Sequence, residues 1–527
     1  MHDGTASLRI GILIREHHRF ENWELRLFEK LLADSSFQLA TFIIEDRALA
    51  EPEPTRLYDV VSYIDKRLFA RQPQFHAPLF QSREAEIERL SVAEADADML
   101  RRLQLDVVLR HDPSRLPDEM LAAIPFGEWA LSFADTHSRK ADWTGFAASS
   151  SHAPVTNVYL RARRNAGSKS ETIASAAYNT KFSAARNAAF VKEKAVILLM
   201  RELRRLADTR SLRPEPAGAV APRIEAPHAG EIGAYILRTG WSAATRLVKS
   251  VQAKLGLRSA MWTLYSGYGG VDDFDPAKTV EIPPTPDSIK ADPFLFQHAG
   301  ENYVFYENYT THDKRAHIAV GRLEDNRIVP LGKALDCDYH LSFPFVFSHG
   351  NDIFMMPESH QARRLEIWRC VEFPLKWTLH ATALDGLSPV DSTMFQHQGN
   401  WWLLTNLSDH HAFEDHCSEL YVFQVDGPAL TSVVPHKANP VVIGSAVARN
   451  AGRVVSRNGR LYRPSQNNSR GIYGFGLNIM EIEQLDPETY RERLVRTFTP
   501  DFKQGLCGCH HFDAAGGRFI LDARVNL

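Results

Sequence analysis

The stretch PFLFQHAGENYVFYE (residues 293–307) is echoed by PFVFSHGNDIFMMPE (344–358), STMFQHQGNWWLLTN (392–406), GRVVSRNGRLYRPSQ (452–466) and CHHFDAAGGRFILDA (509–523). On a common ruler the fourth position holds Phe296, Phe347, Phe395, Val455 and Phe512, and the eleventh holds Tyr303, Phe354, Trp402, Tyr462 and Phe519. Between them stands a glycine each time, Gly300, Gly350, Gly399, Gly459 and Gly516, where a tight hairpin needs a residue that tolerates positive φ. Each copy therefore reads as a β-hairpin with an apolar plug on either arm. The copies start 51, 48, 60 and 57 residues apart, a period that fits the blade of a β-propeller better than a strand pair of a sandwich.

Further strands follow the hairpins: AHIAVGRL (316–323) and RIVPLGKAL (327–335) after the first copy, RLEIWRC (364–370) and KWTLHATAL (376–384) after the second, SELYVFQV (418–425) after the third. The fifth copy runs to Leu527 without outer strands. AMWTLYSGY (260–268), ahead of the first copy, is expected to supply one and close the ring, satisfying an edge that would otherwise stay open.

The first half has another grammar. LRIGILI (8–14), then Trp23, Leu27, Phe28, Leu31 and Leu32 at helical spacing, then FQLATFIIE (37–45) read as strand, helix, strand. LDVVLRH (105–111) and VTNVYLRAR (155–163) add strands, and a long helix is expected over 183–207. This predicts an α/β, Rossmann-like domain on a mostly parallel sheet over residues 1–210. Residues 211–258 contain a Pro-rich linker, LRPEPAGAVAPRIEAP (212–227), and a connecting helix in which Ile232, Tyr235, Ile236, Trp241, Leu247 and Val251 share a side expected to dock against a domain. Residues 259–527 form the all-β, five-bladed propeller.

With 61 Lys and Arg against 64 Asp and Glu, the net charge of -3 provides no field to hold nucleic acid. Five cysteines (Cys337, Cys370, Cys417, Cys507 and Cys509) do not make a disulfide framework, and the apolar run at 10–14 is too short for a signal-peptide core, so a cytoplasmic protein is expected, with peripheral membrane contact left open. RELRRLADTRSLR (201–213) reads as a solvated basic face. No G-x-G-x-x-G or P-loop pattern occurs, so no cofactor is expected. CGCHH (507–511) and DHHAFEDHC (409–417) offer thiols and imidazoles, but C-x-C is too tight for a closed zinc site and no metal is assigned.

First strands of propeller blades line the central channel, so polar residues at their ends converge on one funnel. Asp292 and Asp391 stand just ahead of the core of copies one and three, Glu307 and Glu358 end copies one and two, and Asp522 lies in copy five. Arg449, Arg453, Arg463 and Gln466 come from copy four or its approach, and His510 and His511 from copy five. SQNNSRGIYGFG, from Ser465, joins amides such as Asn467 to the ring of Tyr473, a combination suited to holding sugars. Facing carboxylates are the equipment of glycosyl chemistry, one activating an attacking hydroxyl and another protonating the leaving group or stabilising positive charge. Asp292 or Asp391 is the expected base, Glu358 the acid or charge stabiliser, and Arg453 and Arg463 the anion clamps. The competing account is that these groups only satisfy strand ends.

ADPFLF (291–296), HLSFPFVF (340–347), MMPES (355–359), VDSTMFQHQGNWWLL (390–404), ARNAGRVV (448–455), LYRPSQNNSRGIYGFGLNIMEI (461–482), HHF (510–512) and DAR (522–524) make the C-terminal half resemble the propeller domain at the N-terminus of the plant glucosamine inositolphosphorylceramide transferase family. In architecture it is also similar to the five-bladed furanosidases and fructosidases, whose three acids sit on blades one to three, as Asp292, Glu358 and Asp391 do. The resemblance implies a glycosyltransferase of glycolipid or surface-polysaccharide assembly, using a sugar nucleotide or other activated donor and a glycan or glycolipid acceptor. A glycoside hydrolase and a non-catalytic sugar-binding propeller are the alternatives. DVVLRHDPSRLPDEML (106–121) and FGEWALSFADTHSRKADWTG (126–145) resemble the second half-sheet of the methionyl-tRNA and sugar-nucleotide formyltransferases. The catalytic Asn and His of that family fall here on Ala130 and Ser132, or Ser132 and Ala134, which implies the fold without the activity.

Overall fold

The chain divides into two compact units, Met1–Ser242 and Ala243–Leu527. The computed structural model describes every residue except 1–6, 46–55, 111–114, 134–144, 166, 168, 216–226, 255–259, 286–287, 311–312, 409–412 and 527.

In the first unit, β1 (Leu8–Arg15), β2 (Phe37–Glu45), β3 (Glu88–Ser91), β4 (Val107–Arg110), β5 (Glu128–Ser132), β6 (Val155–Arg163) and β7 (Glu171–Asn179) form one sheet in the order β3-β2-β1-β4-β5-β6-β7. The first five are parallel and the last two antiparallel, so the sheet is mixed. Leu8, Ile10, Ile12, Leu13 and Ile14 are all buried, which is why β1 reads as a continuous apolar run rather than an alternation. The long helix spans Ala184–Thr209, and the Ser183 hydroxyl caps it by accepting from the Arg186 amide. The basic run behaves as a solvated face, with Arg204, Arg205 and Arg210 paired to Asp34, Glu202 and Asp106.

One expectation changes here, and another falls mostly outside the described residues. Most of the Pro-rich stretch 212–227 lies outside the described residues. The helix Ala229–Lys254 buries only the start of its expected docking face: Ile232 and Tyr235 join Tyr58 and Phe146, while Ile236, Trp241, Leu247 and Val251 are exposed. Helical spacing identifies an apolar face but not what covers it.

The second unit is a ring of five sheets. Blade 1 runs outward through Ser288–His298, Glu301–Thr310, His317–Glu324 and Arg327–Leu335, and blade 2 through Ser342–His349, Asp352–Glu358, Leu365–Glu372 and Lys376–Ala383. Blade 3 begins at Pro389–His397 and blade 4 at Val455–Arg457. In blade 5, Leu506–Gly508 and Phe512–Ala515 pair with Arg518–Asn526, which then pairs with Ala260–Tyr268, whose outer neighbour is Val280–Glu281. The two ends of the unit are thus zipped together from Asn526 opposite Ala260 to Arg518 opposite Tyr268. Arg518 also reaches blade 1, where its guanidinium donates to the Asp325 carbonyl and to Asn326.

The repeat hairpins turn in two residues, and their glycines have φ values of 81° (Gly300), 60° (Gly350), 80° (Gly399), 73° (Gly459) and 59° (Gly516). In blades 1 to 4 the fourth and eleventh positions face each other as Phe296 with Tyr303, Phe347 with Phe354, Phe395 with Trp402, and Val455 with Tyr462. The ruler is one residue out in blade 5. Phe512 faces Leu521 and Phe519 faces Ala514, because Gly516 and Gly517 together let the turn form one residue later, and Asp513 takes the inner slot opposite Ile520.

Every blade interface has its own apolar cluster. Phe305 and Val320 meet Val346 and Met355; Phe347 and Ile367 meet Met394 and Leu403; Leu404 and Val422 meet Leu461 and Ile482; Leu477 and Ile479 meet Phe512 and Phe519; Leu264 and Ile520 meet Leu295 and Val304. Five interfaces with five clusters make a closed ring. Ile520 is fully buried at the closing interface, so Ile520→Ala is expected to cost about 2–5 kcal/mol in urea denaturation, from lost transfer energy and an unfilled cavity. Leu331→Ala on an exposed blade edge should stay within about 0.5 kcal/mol.

Candidate active site in the propeller funnel

The inner strands of blades 1, 2 and 3 slip register at equivalent points, between Ala291 and Phe294, Ser342 and Phe345, and Val390 and Thr393. Each bulge holds one residue in left-handed backbone: Asp292 (φ 49°), Phe343 (φ 46°) and Asp391 (φ 47°). Such backbone costs a non-glycine residue about 1–3 kcal/mol and persists only where the surroundings enforce it, but it re-aims the side chain out of the ladder. Two of the three re-aimed side chains are carboxylates. The third, Phe343, fills space, and its amide donates to Asp292 Oδ2 at 3.3 Å.

Asp391 and Glu358 form a buried acid pair in hydrogen-bond contact with each other. Asp391 Oδ2 accepts from Arg449 Nε at 2.6 Å and from Gln466 Nε2 at 3.0 Å. Glu358 Oε1 meets His360 Nδ1 at 2.8 Å, and its Oε2 lies 3.6 Å from Arg449 Nη2. Their proton affinities diverge. Burial and the adjacent Glu358 push Asp391 up to about 7 despite Arg449. Burial also works to raise Glu358, but the His360 hydrogen bond and Arg449 more than offset it and hold it at about 2. His416, hydrogen-bonded to Ser388 at 2.9 Å, is kept neutral by burial and by Arg449, with its pKa down at about 4.

A second cluster joins blades 5 and 1. Asp522 accepts the backbone amides of His510, His511 and Asp292 and the His510 ring, its Oδ1 standing 2.8 Å from Nδ1. Burial opposes the charge on His510, yet Asp522, with Asp292 behind it, lifts the imidazole to about 9. Asp292 itself is pushed well above the usual carboxylate range by burial and by Glu307, Asp391 and Asp522, against the pull of His510. Asp292, His510 and Asp522 offer ligand atoms within 4.8 Å of one another, the one grouping among the described residues able to approach a metal. Both Asp522 oxygens are already committed to amides and the imidazole, which makes the group an internal ion network.

The loop after Ser465 joins the two clusters. Gly474, at φ 60°, lies so close to blade 5 that a Cβ there would sit 2.7 Å from His510 Cβ; its amide donates to Asn468 and its carbonyl accepts from Cys509. Beside it the Tyr473 ring contacts His510 at 5.4 Å and lies 5.1 Å from the Arg449 guanidinium, with 42% of the residue still exposed. Trp262 stacks on His510 at 4.0 Å.

Not every expected contact belongs to the funnel. Arg463 is wholly buried, and its donors are spent on Glu492, Asn450 and the Val447 and Ala448 carbonyls, so it is an internal strut and not an anion clamp. Arg453 is committed to Asp513 and the Leu295 carbonyl between the phenyl rings of Phe294 and Phe345. His511 has no exposure and packs edge-on against Phe294 and Phe343, which rules out contact with ligand hydroxyls; burial holds its pKa down at about 3. Glu307 pairs with His340 at 3.2 Å, and Asn467 ends the blade 4 strand beside Gln466. His360, His416 and Trp262 were missed; only the position of His360, two residues beyond Glu358, gave a hint. His410 and His411 of the histidine-rich loop lie outside the described residues.

A closed ring of five blades with a funnel of buried acids and cations defines this unit as a five-bladed β-propeller. Residues 277–510 match the family model described as "Glucosamine inositolphosphorylceramide transferase 1, N-terminal", in line with the resemblance carried by the sequence motifs. Glucosamine inositolphosphorylceramide transferase 1 of Oryza sativa subsp. japonica is 36% identical over 239 residues, 44% of this chain, and that of Arabidopsis thaliana 36% over 249 residues, 45% of it. The chain spans 32% of the length of each of these relatives. Among solved structures, an exo-β-1,3-galactanase from Phanerochaete chrysosporium aligns with TM-score 0.34 and 11% identity over 49% of this chain and 63% of its own. One from Clostridium thermocellum aligns with 0.32 and 13% over 48% and 57%. Overlaps this loose do not bear on function.

The charge network can be checked by NMR titration of the imidazoles: His510 should keep its proton to about pH 9. In Asp522→Asn, with the main opposing charge gone and only Asp292 and Asp391 left against burial, it should titrate well below 9.

Proposed function

We propose that the propeller funnel carries out glycosyl chemistry, moving a sugar from an activated donor to a hydroxyl of a glycan or glycolipid acceptor. The observation that carries this reading is the Glu358–Asp391 pair, two touching buried carboxyl groups with opposite proton affinities. Environments that separate a pair in this way assign its acid and its base. For Asp391 this reverses the sequence expectation of a base, while Glu358 keeps the expected alternative of charge stabiliser. Glu358, kept ionised by His360 and Arg449, faces the positive charge developing on the sugar or takes the proton of the incoming hydroxyl. Asp391, protonated up to near neutrality, delivers a proton toward the departing oxygen. Arg449 supplies a cation for an anionic donor, and the exposed flank of Tyr473 offers a face for the sugar ring.

The similarity of residues 277–510 to the N-terminal part of glucosamine inositolphosphorylceramide transferase 1 supports transfer over hydrolysis. The same acids would serve a hydrolase if water replaced the acceptor, so the decisive assay offers a panel of sugar nucleotides with and without glycolipid acceptors. Nucleotide release that depends on acceptor supports transfer; sugar release from oligosaccharide alone replaces it with hydrolysis; binding without turnover overturns both. We read the α/β unit as a formyltransferase-like fold put to another use, since neither Ala130 with Ser132 nor Ser132 with Ala134 can replace an Asn and a His. We place the protein in the cytoplasm, the compartment that suits so sparse a set of five cysteines.

Glu358→Gln should lower kcat by about 10²–10⁴ with KM changed little, as expected for loss of acid–base catalysis. Wild-type activity should fall as pH rises through about 7, where Asp391 loses its proton. Asp391→Asn should lower kcat and abolish that limb of the pH profile.

A further inference from the structure

The helix Arg56–Phe69 is amphipathic with one apolar side in the wrong place for a core. Tyr58 and Asp65 point inward, where the Asp65 carboxylate accepts from the Ser183 hydroxyl and the Ala185 amide. Leu57, Val60, Ile64 and Leu68 recur every three or four residues and are 46%, 56%, 49% and 66% exposed. The helix Ala229–Lys254 repeats the arrangement. It shares a small core cluster with the first helix through Ile232 and Tyr235, and the Tyr235 hydroxyl accepts from the Ala184 amide, while Ile236 and Leu237 stand in solvent, Leu237 at 77%. With their inner sides anchored, neither helix can turn these residues in.

The polar neighbours have one predominant sign. Arg56, Lys66, Arg67 and Arg71 are exposed beside the first stripe against the single exposed acid Asp59, and none of the four pairs with a carboxylate among the described residues. Arg238 is exposed on the part of the second helix that belongs to this unit, whose one acid is Glu231. Apolar residues of high exposure flanked by cations match a helix that lies in a membrane interface, its apolar side among the acyl chains and its cations among anionic headgroups. Two copies of this chain meeting through the same face would instead bring like charges together. No helix among the described residues is long and apolar enough to cross a bilayer, so the contact is with one leaflet.

We propose that the helix Arg56–Phe69 and residues 229–242 of the second helix, both in the α/β unit, form a peripheral membrane-docking surface for an anionic lipid leaflet. The surface is independent of the chemistry in the funnel and would hold the protein at the bilayer where a lipid-borne acceptor resides.

The test is co-sedimentation of the full chain with vesicles of phosphatidylcholine alone and of phosphatidylcholine mixed with phosphatidylglycerol. The protein should pellet with the mixed vesicles and stay in solution with the neutral ones. Leu68→Glu with Leu237→Glu should abolish pelleting without moving the thermal midpoint, because both side chains are exposed. Lys66→Gln with Arg67→Gln should weaken it about 30-fold, some fivefold per cation. The proposal is overturned if anionic vesicles do not bind, if both double variants bind as the wild type does, or if the face proves to hold a lipid-free dimer that Leu68→Glu with Leu237→Glu dissociates. Asp391→Asn should bind vesicles normally. Lost turnover with intact binding would count against the funnel chemistry alone, and lost binding with turnover on a soluble acceptor against the docking surface alone.

Discussion

Nine residue pairs between Ala260–Tyr268 and Arg518–Asn526 hold the ends of the propeller together, and the rest of the unit depends on that zipper. An open stack of five sheets would leave two exposed edges and one unpaired apolar flank at each end. Closure removes the edges and creates the fifth interface cluster, with Leu264 and Ile520 against Leu295 and Val304. It also brings His510 and Asp522 beside Asp292 across more than two hundred residues of sequence, so the fold's last interface is also half of its candidate site.

The funnel shows how one residue type takes different charge states by placement. Asp292, Glu358, Asp391 and Asp522 are all buried carboxyls. Asp522 is surrounded by amide donors and an imidazolium and stays ionised, Glu358 is held ionised by His360 and Arg449, and Asp391 and Asp292, with fewer compensating charges, retain protons. Backbone strain at two bulges contributes, since Asp292 and Asp391 reach into the funnel only through left-handed conformations that the neighbouring blades enforce. The loop at Gly474 then couples the two halves of the site through a contact too close for any side chain.

Much of this was legible in the linear chain. The ruler placed five hairpins, their glycine turns and the closing strand, and the strands 37–45 and 155–163 fall where the apolar pattern puts them. The acids just ahead of or at the ends of the repeat hairpins could be singled out because blade architecture sends those positions to one channel. Less legible were features fixed by single-residue register or by partners distant in sequence. Two adjacent glycines hid the shift in blade 5, and Glu492 was invisible as the partner that turns Arg463 into a strut.

What the sequence alone determined is periodicity: five similar segments, each a hairpin with its plugs, and an α/β pattern ahead of them, because side-chain alternation and turn chemistry are local properties of the chain. What only the tertiary structure decided is the state of each group. Whether an arginine binds a ligand or braces a blade, which carboxyl keeps its proton, and whether an apolar helix face is covered depend on distance and burial. Those are set by residues far away along the chain, and no local pattern encodes them.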